Sequence, residues 1–177
     1  MEYVVLDADE HPRRLDRAAA SALGARDPWL TVPTRDPART ADRLHEHRLR
    51  TQPLPEWMMS IALADQRRVT PPDGYGCDLV EESEGVLHLT VHAPDDEVAA
   101  TGQLGVIADC AVPDKIETYA AHRRRGLGGT MMTVLAEAAA DLGATRGLLM
   151  ASTEGRALYS TLGWTTLCPV VVARLWE

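Results

Sequence analysis

The spacing of the apolar residues changes abruptly close to residue 120. Residues 86–92 alternate between apolar and polar side chains, which is typical of a strand with one buried face. Between Leu127 and Leu142 the apolar residues instead recur every three or four positions, which is the spacing of one face of a helix. The two patterns together predict an α/β fold.

Other elements in this half of the chain follow from apolar runs and the residues that interrupt them. Turns are expected at residues 93–96 and at Pro113-Asp114, where proline and aspartate cluster. Gly143 and Gly163 are expected to end two helices. We predict strands at 86–92, 97–107, 115–120, 148–151 and 170–173, and helices at 127–142 and 153–162.

Residues 1–70 are also a mixture of predicted strands and helices. A proline-rich and glycine-rich stretch at residues 70–76 predicts a linker or sharp turn, and so a boundary between segments 1–70 and 71–177. Asp36 is the expected N-cap of a helix whose first residue is Pro37. We predict strands at 3–6, 29–32 and 57–63, the last ambiguous with a buried helix, and helices from Pro12 to Gly24 and from Asp36 to about Arg50.

Composition restricts the function classes. The chain has 177 residues, a size that suits one domain with a small N-terminal subdomain, and its net charge of −8 disfavours nucleic acid as a partner. No apolar run is long enough to span a bilayer and no signal peptide begins the chain, so we expect a cytoplasmic protein without a membrane partner. The three cysteines form no CxxC pair, which excludes a zinc-ribbon site and agrees with a reducing compartment, and we expect no metal.

The segment between the predicted strands and the long helix carries most of the chemical information. Residues 122–130 read His-Arg-Arg-Arg-Gly-Leu-Gly-Gly-Thr. A glycine-rich turn of this kind leaves backbone N–H groups unpaired at the positive end of a helix dipole. With the arginine side chains, these donors make a site for a phosphate or pyrophosphate group.

Two common phosphate motifs do not fit this segment. The dinucleotide motif GxGxxG would require glycine where the chain has Met131, and the Walker loop requires a lysine that is absent here. From these residues alone, an arginine-rich helix start without a ligand stays open as an alternative.

Two motifs, in the expected order, resemble those of the GNAT superfamily of N-acyltransferases. Arg123-x-x-Gly126-x-Gly128 is similar to the loop that binds the pyrophosphate of acyl-CoA in this family. Residues 157–164, Ala-Leu-Tyr-Ser-Thr-Leu-Gly-Trp, are similar to the family's Ala-x-x-Leu-Tyr-x-x-x-Gly-Phe helix in compact form. The resemblance covers residues 72–176.

This resemblance implies a fold. A GNAT-like chain has a central, mostly antiparallel mixed sheet, splayed between its fourth and fifth strands, with helices on both faces. Residues 1–70 lie outside the resemblance, and they could be a degenerate half of a second such domain or a cap over the substrate. Because family dimers commonly pair through edge strands such as the last one, a homodimer is a further expectation.

The resemblance also implies which residues hold the co-substrate, acetyl-CoA or another short acyl-CoA. The loop would bind the pyrophosphate, and the pantetheine arm would pair with the end of the fourth strand. Ser152 stands where the family often has an asparagine that contacts this arm. The residues carried over are Thr118, Tyr119, Ala120, Arg123, Arg124, Arg125, Gly126, Leu127, Gly128, Gly129, Thr130 and Ser152.

Tyr159 matches the family's tyrosine near the acyl sulfur. The resemblance implies that it acts as a general acid and protonates the departing thiolate. A tyrosine suits this role because its ordinary pKa, near 10, keeps the proton available at neutral pH. A core tyrosine with a satisfied hydroxyl is the alternative.

Glu117 is the candidate general base for the acceptor ammonium. Strand alternation puts it on the face opposite Ile116 and Thr118, so it faces the open side of the sheet if those two residues face the helix layer. A solvated or ion-paired glutamate is the alternative. Tyr119 and Asp109 are reserve candidates.

The function that these motifs imply is transfer of an acetyl group from CoA to a primary amine, by direct attack in a ternary complex. The amine could belong to a small molecule or a protein, and the acidic net charge slightly favours a cationic acceptor. Two alternatives stay open: a non-catalytic module that binds acyl-CoA, and an interaction domain without a cofactor.

Overall fold

All four predicted helices and all eight predicted strands have counterparts in the described residues, which contain two further strands. The structure, a computed structural model, describes residues 1–175. Its strands are β1 Glu2–Val4, β2 Trp29–Pro33, β3 Arg50–Thr51, β4 Glu56–Ala62, β5 Gly76–Ser83, β6 Val86–His92, β7 Val98–Ile107, β8 Cys110–Thr118, β9 Arg146–Ala151 and β10 Thr165–Arg174. Its helices are α1 Pro12–Leu23, α2 Pro37–Glu46, α3 Leu127–Asp141 and α4 Thr153–Thr161. Most strand pairs are antiparallel, as the fold prediction required.

Local sequence explains where the helices begin and end. The Asp36 carboxylate accepts a hydrogen bond of 3.1 Å from the Arg39 N–H and caps α2, with Pro37 at its first position. The predicted caps are therefore confirmed. Gly143 and Gly163 follow α3 and α4 with φ of 89° and 100°, a conformation that favours glycine, and so end both helices.

Two structural units make up the described chain, and neither is continuous in sequence. The first unit consists of residues 1–58, 150–156 and those from 166 onward, and the second of residues 59–149 and 157–165. Most of β10 therefore belongs to the first unit, although it is encoded at the end of the chain.

The first unit contains a parallel strand pair at the edge of its sheet. β1 and β2 are parallel neighbours, and α1 connects them along the chain. β2 also pairs with β10 in antiparallel orientation, where Val171 lies opposite Val32. β3 also pairs with β10. The core of this unit consists of Val5, Ala8, Leu15, Ala19, Leu30, Val32, Leu44, Leu49, Val171 and Ala173.

The second unit is a meander of four antiparallel strands covered by a helix. β5, β6, β7 and β8 pair in chain order. α3 packs against the face that buries Leu89 and Leu104, and Met131 and Leu135 of α3 complete this core. The side chains that alternate with these core residues point to the other face of the sheet. In β6 they include Thr90, and they are more exposed than the core residues.

β8 and β9 separate soon after they meet. The two strands are parallel and pair only at Cys110 with Arg146 and at Ala111 with Gly147, although β8 continues to Thr118. From Val112 onward this edge of β8 has no partner strand among the described residues. The predicted splay between these two strands is confirmed.

A β-bulge interrupts the pairing of β7 with β8. Thr101 lies opposite Glu117 and Gln103 lies opposite Asp114, so that one residue of β7 faces two residues of β8. Lys115 takes up the change with φ of 50°. Asp114 and Glu117 consequently lie on one face of the sheet, although they are three residues apart.

Some predicted boundaries were wrong. Pro113 and Asp114 do not form a turn: they lie inside β8, which begins at Cys110 after a turn at 108–109. A proline is tolerated there because β8 has an unpaired edge, where a missing N–H costs no ladder bond. β5 was not predicted, since five of its eight residues are polar or glycine, and α2 ends at Glu46 rather than near Arg50.

Candidate active site

The loop from β8 to α3 has an unusual backbone. A short 3-10 turn at Ala120–His122 follows the strand, and then Arg124 and Gly126 both have positive φ, at 63° and 86°. Turns with left-handed residues bring successive N–H groups close together, and such turns make concave donor sites for anions. A side chain added at Gly126 would meet no atom within 4 Å, so this position needs glycine for its backbone conformation rather than for space.

The first turn of α3 adds further free donors. The first intrahelical bond is the one from the Thr130 N–H to the Gly126 carbonyl, at 3.1 Å. The N–H groups of Leu127, Gly128 and Gly129 precede it and have no partner in the helix. No side chain caps this end of α3, and no acidic residue lies in its first turn. The positive end of the helix dipole therefore faces outward without a counter-charge.

Two glycines allow close packing around this helix end. A Cβ at Gly128 would lie 2.7 Å from Leu158 Cδ2 of α4, and a Cβ at Gly129 would lie 2.9 Å from Val69 Cγ2. Both distances are too short for an ordinary contact, so α4 and the segment before β5 pack directly against the backbone of α3. The glycines of the motif consequently serve packing as well as access to the amides.

The three arginines of the loop have different partners. Arg123 Nε donates to the Thr118 carbonyl at 3.0 Å, which returns its side chain to the end of β8. Arg125 donates through Nη1 to the Tyr75 hydroxyl at 2.9 Å and through Nη2 to the Ala121 carbonyl at 3.2 Å. Arg124 makes no side-chain hydrogen bond to any described residue and is exposed.

Tyr159 is buried on α4, with only 7% of its surface exposed. Its ring lies 6.2 Å from that of Trp164, and its hydroxyl makes no hydrogen bond to the residues that the structure describes. Burial, with a smaller contribution from the negative charge of Asp114, raises the pKa of Tyr159 to about 12. The hydroxyl therefore keeps its proton throughout the neutral range.

Glu117 lies on the open face of the sheet, as the alternation of β8 predicted, while Ile116 packs against the core under α3. A depression with a volume of about 550 Å³ lies on this face. It is lined by His88, Leu89, Thr90, Thr101, Gly102, Gln103, Lys115, Ile116 and Glu117. The polar side chains among them can hydrogen-bond to a polar ligand.

Three other predicted site residues are placed less centrally. Asp109 lies before the start of β8, at the end remote from the loop, and pairs with Arg146 at 3.0 Å. The Tyr119 N–H donates to the Ala99 carbonyl at 3.0 Å, and its side chain is partly exposed. In the first unit, the Ser152 hydroxyl accepts from the Gly155 N–H at 3.2 Å and caps α4.

Sequence reasoning missed some residues of this region. Asp114 affects Tyr159, but the sequence placed it in a turn. His122 was expected to contact backbone or solvent, whereas it is buried and lies 3.1 Å from the Tyr75 hydroxyl. No local signal could have linked Tyr75 to His122, because 46 residues separate them.

Within residues 1–175, no group of three or more His, Cys, Asp or Glu side chains is placed to hold a metal ion. None of the helices in that range has both the length and the apolar character needed to cross a bilayer.

Several solved structures share this fold. A GCN5-related N-acetyltransferase from Kribbella flavida matches with a TM-score of 0.70 and 19% identity, over 98% of this chain and 80% of that one. One from Sphaerobacter thermophilus matches with a TM-score of 0.63 and 16% identity, over 92% of this chain and 63% of that one. A tandem GNAT protein from the clavulanic acid biosynthesis pathway matches with a TM-score of 0.63 and 12% identity, over 91% of this chain and 68% of that one.

Sequence comparison gives the family directly. No curated protein matches this chain at a significant level. The sequence model of the Acetyltransferase (GNAT) family, in contrast, matches residues 42–164, more than two thirds of the chain. The match includes the loop, α3, β9 and α4. The chain therefore belongs to the GNAT acetyltransferase family of acyltransferases, whose members use acyl-CoA co-substrates.

Proposed function

We propose that this protein is an N-acetyltransferase that transfers the acetyl group of acetyl-CoA to a primary amine, by direct attack in a ternary complex. One observation carries the proposal. The uncapped, glycine-rich end of α3 presents free N–H donors and arginines at the end of a strand, β8, whose edge is open. The helix N-terminus can bind an anion, and the open edge of β8 can pair with an extended arm of the same ligand.

The residues present fit acyl-CoA. The amides from Arg124 to Gly129, which precede the first intrahelical bond at Thr130, and the side chains of Arg123, Arg124 and Arg125 would hold the phosphates. The amide-bearing arm would pair with the backbone of β8 near Thr118, Tyr119 and Ala120. The Thr118 carbonyl already accepts from Arg123, but a carbonyl oxygen has two lone pairs and can accept a second donor.

Bound acyl-CoA supplies the thioester, and the chain supplies proton transfer at both ends of the reaction. The nitrogen of the amine forms the new bond to the acetyl carbon as the bond from carbon to sulfur breaks. Glu117 accepts the proton that the acceptor ammonium must lose. Tyr159 donates a proton to the departing sulfur, and its pKa of about 12 keeps that proton in place at neutral pH.

The acceptor is proposed to approach from the open face of the second unit. Six of the nine residues that line the depression are polar or charged, with Lys115 and Glu117 of opposite sign among them, and Asp114 adds a second carboxylate to the same face of the sheet. Together with the net charge of −8, the two carboxylates favour a cationic amine over an anionic one.

The order of elements supports a proposal for the N-terminal part. Apart from the two-residue strand β3, which lies between α2 and β4, the elements β1, α1, β2, α2 and β4 follow the same order as β8, α3, β9, α4 and β10. In both series a helix connects two parallel strands. We propose that residues 1–70 are a degenerate half-domain rather than a cap. The boundary at residue 70 stays a prediction.

Thermal unfolding with acetyl-CoA tests the proposed function first. A ligand at a hundred times its Kd adds about 2.7 kcal/mol to the free energy of unfolding, which corresponds to roughly 5 to 10 °C for a chain of this size. We expect this shift with acetyl-CoA and CoA and none with ATP. No shift in a folded protein would overturn the proposal.

A panel of amines, followed by mass spectrometry for an added acetyl group, then tests the chemistry. Acetylation of a cationic amine is the expected result. Binding of acetyl-CoA without transfer to any member of a broad panel, including a polyamine, an aminoglycoside and a lysine peptide, would favour a non-catalytic binding module.

A further inference from the structure

A buried histidine lies directly beside the loop of the second unit. Only 6% of the His122 surface is exposed. Its Nδ1 lies 3.1 Å from the Tyr75 hydroxyl, and the two rings are nearly perpendicular, with centroids 6.0 Å apart. Its Nε2 is buried and makes no hydrogen bond to the described residues, the nearest carboxylate oxygen being Glu97 Oε2 at 3.5 Å.

One arrangement of donors and acceptors links all three side chains of this cluster. A guanidinium can only donate, so the Tyr75 oxygen accepts from Arg125 Nη1 at 2.9 Å. The hydroxyl proton of Tyr75 is then available to His122 Nδ1 as the acceptor. In this arrangement the Nε2 side of the His122 ring faces Glu97.

Arg125 is held from two sides as a result. Its second guanidinium nitrogen donates to the Ala121 carbonyl at 3.2 Å, while the first is held by Tyr75. Exposed arginines ordinarily sample many rotamers and lose that freedom when they bind a ligand. Arg125 has already lost much of it in the free protein.

The position of Arg125 makes this restraint important. It lies between Arg124 and Gly126, the two residues whose positive φ turns the loop amides to one side. Fixing the side chain of Arg125 therefore also restrains the backbone that presents those amides. Tyr75 itself belongs to the turn before β5, where its N–H donates to the Pro72 carbonyl, so the restraint comes from outside the loop.

We propose that Tyr75 and His122 are positioning residues that hold Arg125 and the adjacent loop backbone in the conformation that binds the phosphates of acyl-CoA. The inference rests on the proposed function, because it assumes that acyl-CoA is the ligand. It adds two residues that contact no phosphate themselves and act through Arg125.

Calorimetric titration of CoA into purified variants tests this role. Tyr75→Phe keeps the ring but removes the oxygen, and we expect the Kd for CoA to rise about tenfold because a charge-assisted hydrogen bond is lost. The KM for acetyl-CoA should rise similarly with little change in kcat. Tyr3→Phe, in the first unit, is the matched control. An unchanged Kd in Tyr75→Phe would overturn the inference and leave the proposed function intact.

A double-mutant cycle separates positioning from a direct role. If Tyr75 acts through Arg125, then Tyr75→Phe should have little further effect on the Kd in an Arg125→Ala background. Independent, multiplicative losses would overturn the inference. Wild-type protein that binds no CoA would overturn the proposed function and this inference together.

Two histidine variants complete the test. His122→Asn retains an acceptor close to the position of Nδ1, whereas His122→Leu has none. We expect weaker CoA binding in His122→Leu and substantial recovery in His122→Asn. Equal binding by the two variants would contradict the proposed hydrogen-bond chain.

Discussion

The chain contains two crossovers of the same kind, from a strand through a helix to a parallel strand, and their connecting loops are chemically opposite. The loop between β1 and α1 contains Asp7, Asp9 and Glu10, whereas the loop between β8 and α3 contains three arginines and Gly126. Both loops end at a helix N-terminus, so both offer a helix dipole. Only the second offers positive side chains and an accessible backbone.

The strands of the two crossovers also differ. At the end of β2, Asp9 accepts from the Thr34 hydroxyl at 2.6 Å and from the Arg35 N–H at 2.8 Å, which ties the acidic loop to the strand end. β8 and β9 instead separate after Ala111, and nothing of this kind joins them in the described chain. Both crossovers therefore supply a helix N-terminus through their topology. Whether that N-terminus can bind a phosphate group depends on the side chains of the loop and on the separation of the strands.

Reversing the charge of the second loop should have the largest effect. Arg123→Glu, Arg124→Glu and Arg125→Glu together would make it resemble the first loop. We expect CoA affinity to fall by at least about a thousandfold, because attraction to the phosphates becomes repulsion. Calorimetric titration measures this. The charge-matched control is Arg13→Glu, Arg17→Glu and Arg26→Glu in the first unit, and an equal loss there would mean that only net charge matters.

The helices that follow the two second strands also differ, since α2 contains no tyrosine and α4 contains Tyr159. Tyr159→Phe should lower kcat about a hundredfold by removing the proton donor, while the Kd for CoA stays the same. Steady-state kinetics and calorimetry measure the two quantities. Because the pKa of Tyr159 is raised to about 12, ionisation of this residue should not reduce kcat below about pH 10. An unchanged kcat would remove Tyr159 from the mechanism.

The first turn of α3 contains Gly128, whereas the first turn of α1 contains no glycine. Gly128→Ala would place a methyl group 2.7 Å from Leu158 Cδ2, and overpacking of this kind costs about 1 to 3 kcal/mol. We therefore expect a lower Tm and weaker CoA binding. Gly105→Ala, whose methyl group would meet no atom within 4 Å, is the control. A Tm equal to that of the control would show that Leu158 moves aside freely.

The acidic loop and helix pair of the first unit should make its stability sensitive to acid. Hydrogen bonds from Thr34 and Arg35 lower the pKa of Asp9, and Arg43 beside Asp16 lowers the pKa of that carboxyl to about 2. A pKa depressed in the folded state contributes stability above its unfolded value of 3.8, and this is lost as pH falls toward 2.

We expect this acid sensitivity to be the smallest of the four predicted effects, after those of the charge reversal, Tyr159→Phe and Gly128→Ala. Both carboxyl groups are near the surface, so solvent screens them. Asp16→Asn should reduce the fall in Tm between pH 4 and pH 2, measured by calorimetry, relative to Asp42→Asn on the exposed side of α2. A fall in Tm that is the same in both variants would show that other carboxyl groups dominate acid unfolding.

The elements that depend on local spacing were predictable. α3 follows from its apolar repeat and ends at Gly143, and β6 follows from its alternation. The turn predicted at Pro113-Asp114 failed because turn residues were judged by type alone. Whether a proline interrupts a strand depends on whether its missing N–H would have had a partner, and β8 has an open edge there.

The candidate site shows the same division. The Arg-Gly loop could be found because its phosphate chemistry lies in consecutive residues. Asp114 could not, because the bulge at Lys115 sets which face it occupies. The contact between Tyr75 and His122 joins two distant segments, and neither residue has a local signal for it.

The amino-acid sequence by itself determined the four helices and most of the strands, the caps at Asp36 and Gly143, and a glycine-rich, basic turn at the start of α3. These features depend on neighbours within a few residues, whose conformational preferences act locally. Only the tertiary structure decided that β10 pairs with β2, where β8 leaves β9, and that His122 is buried behind the loop. Those outcomes depend on contacts between distant segments, whose energies are realised only when the whole chain is folded.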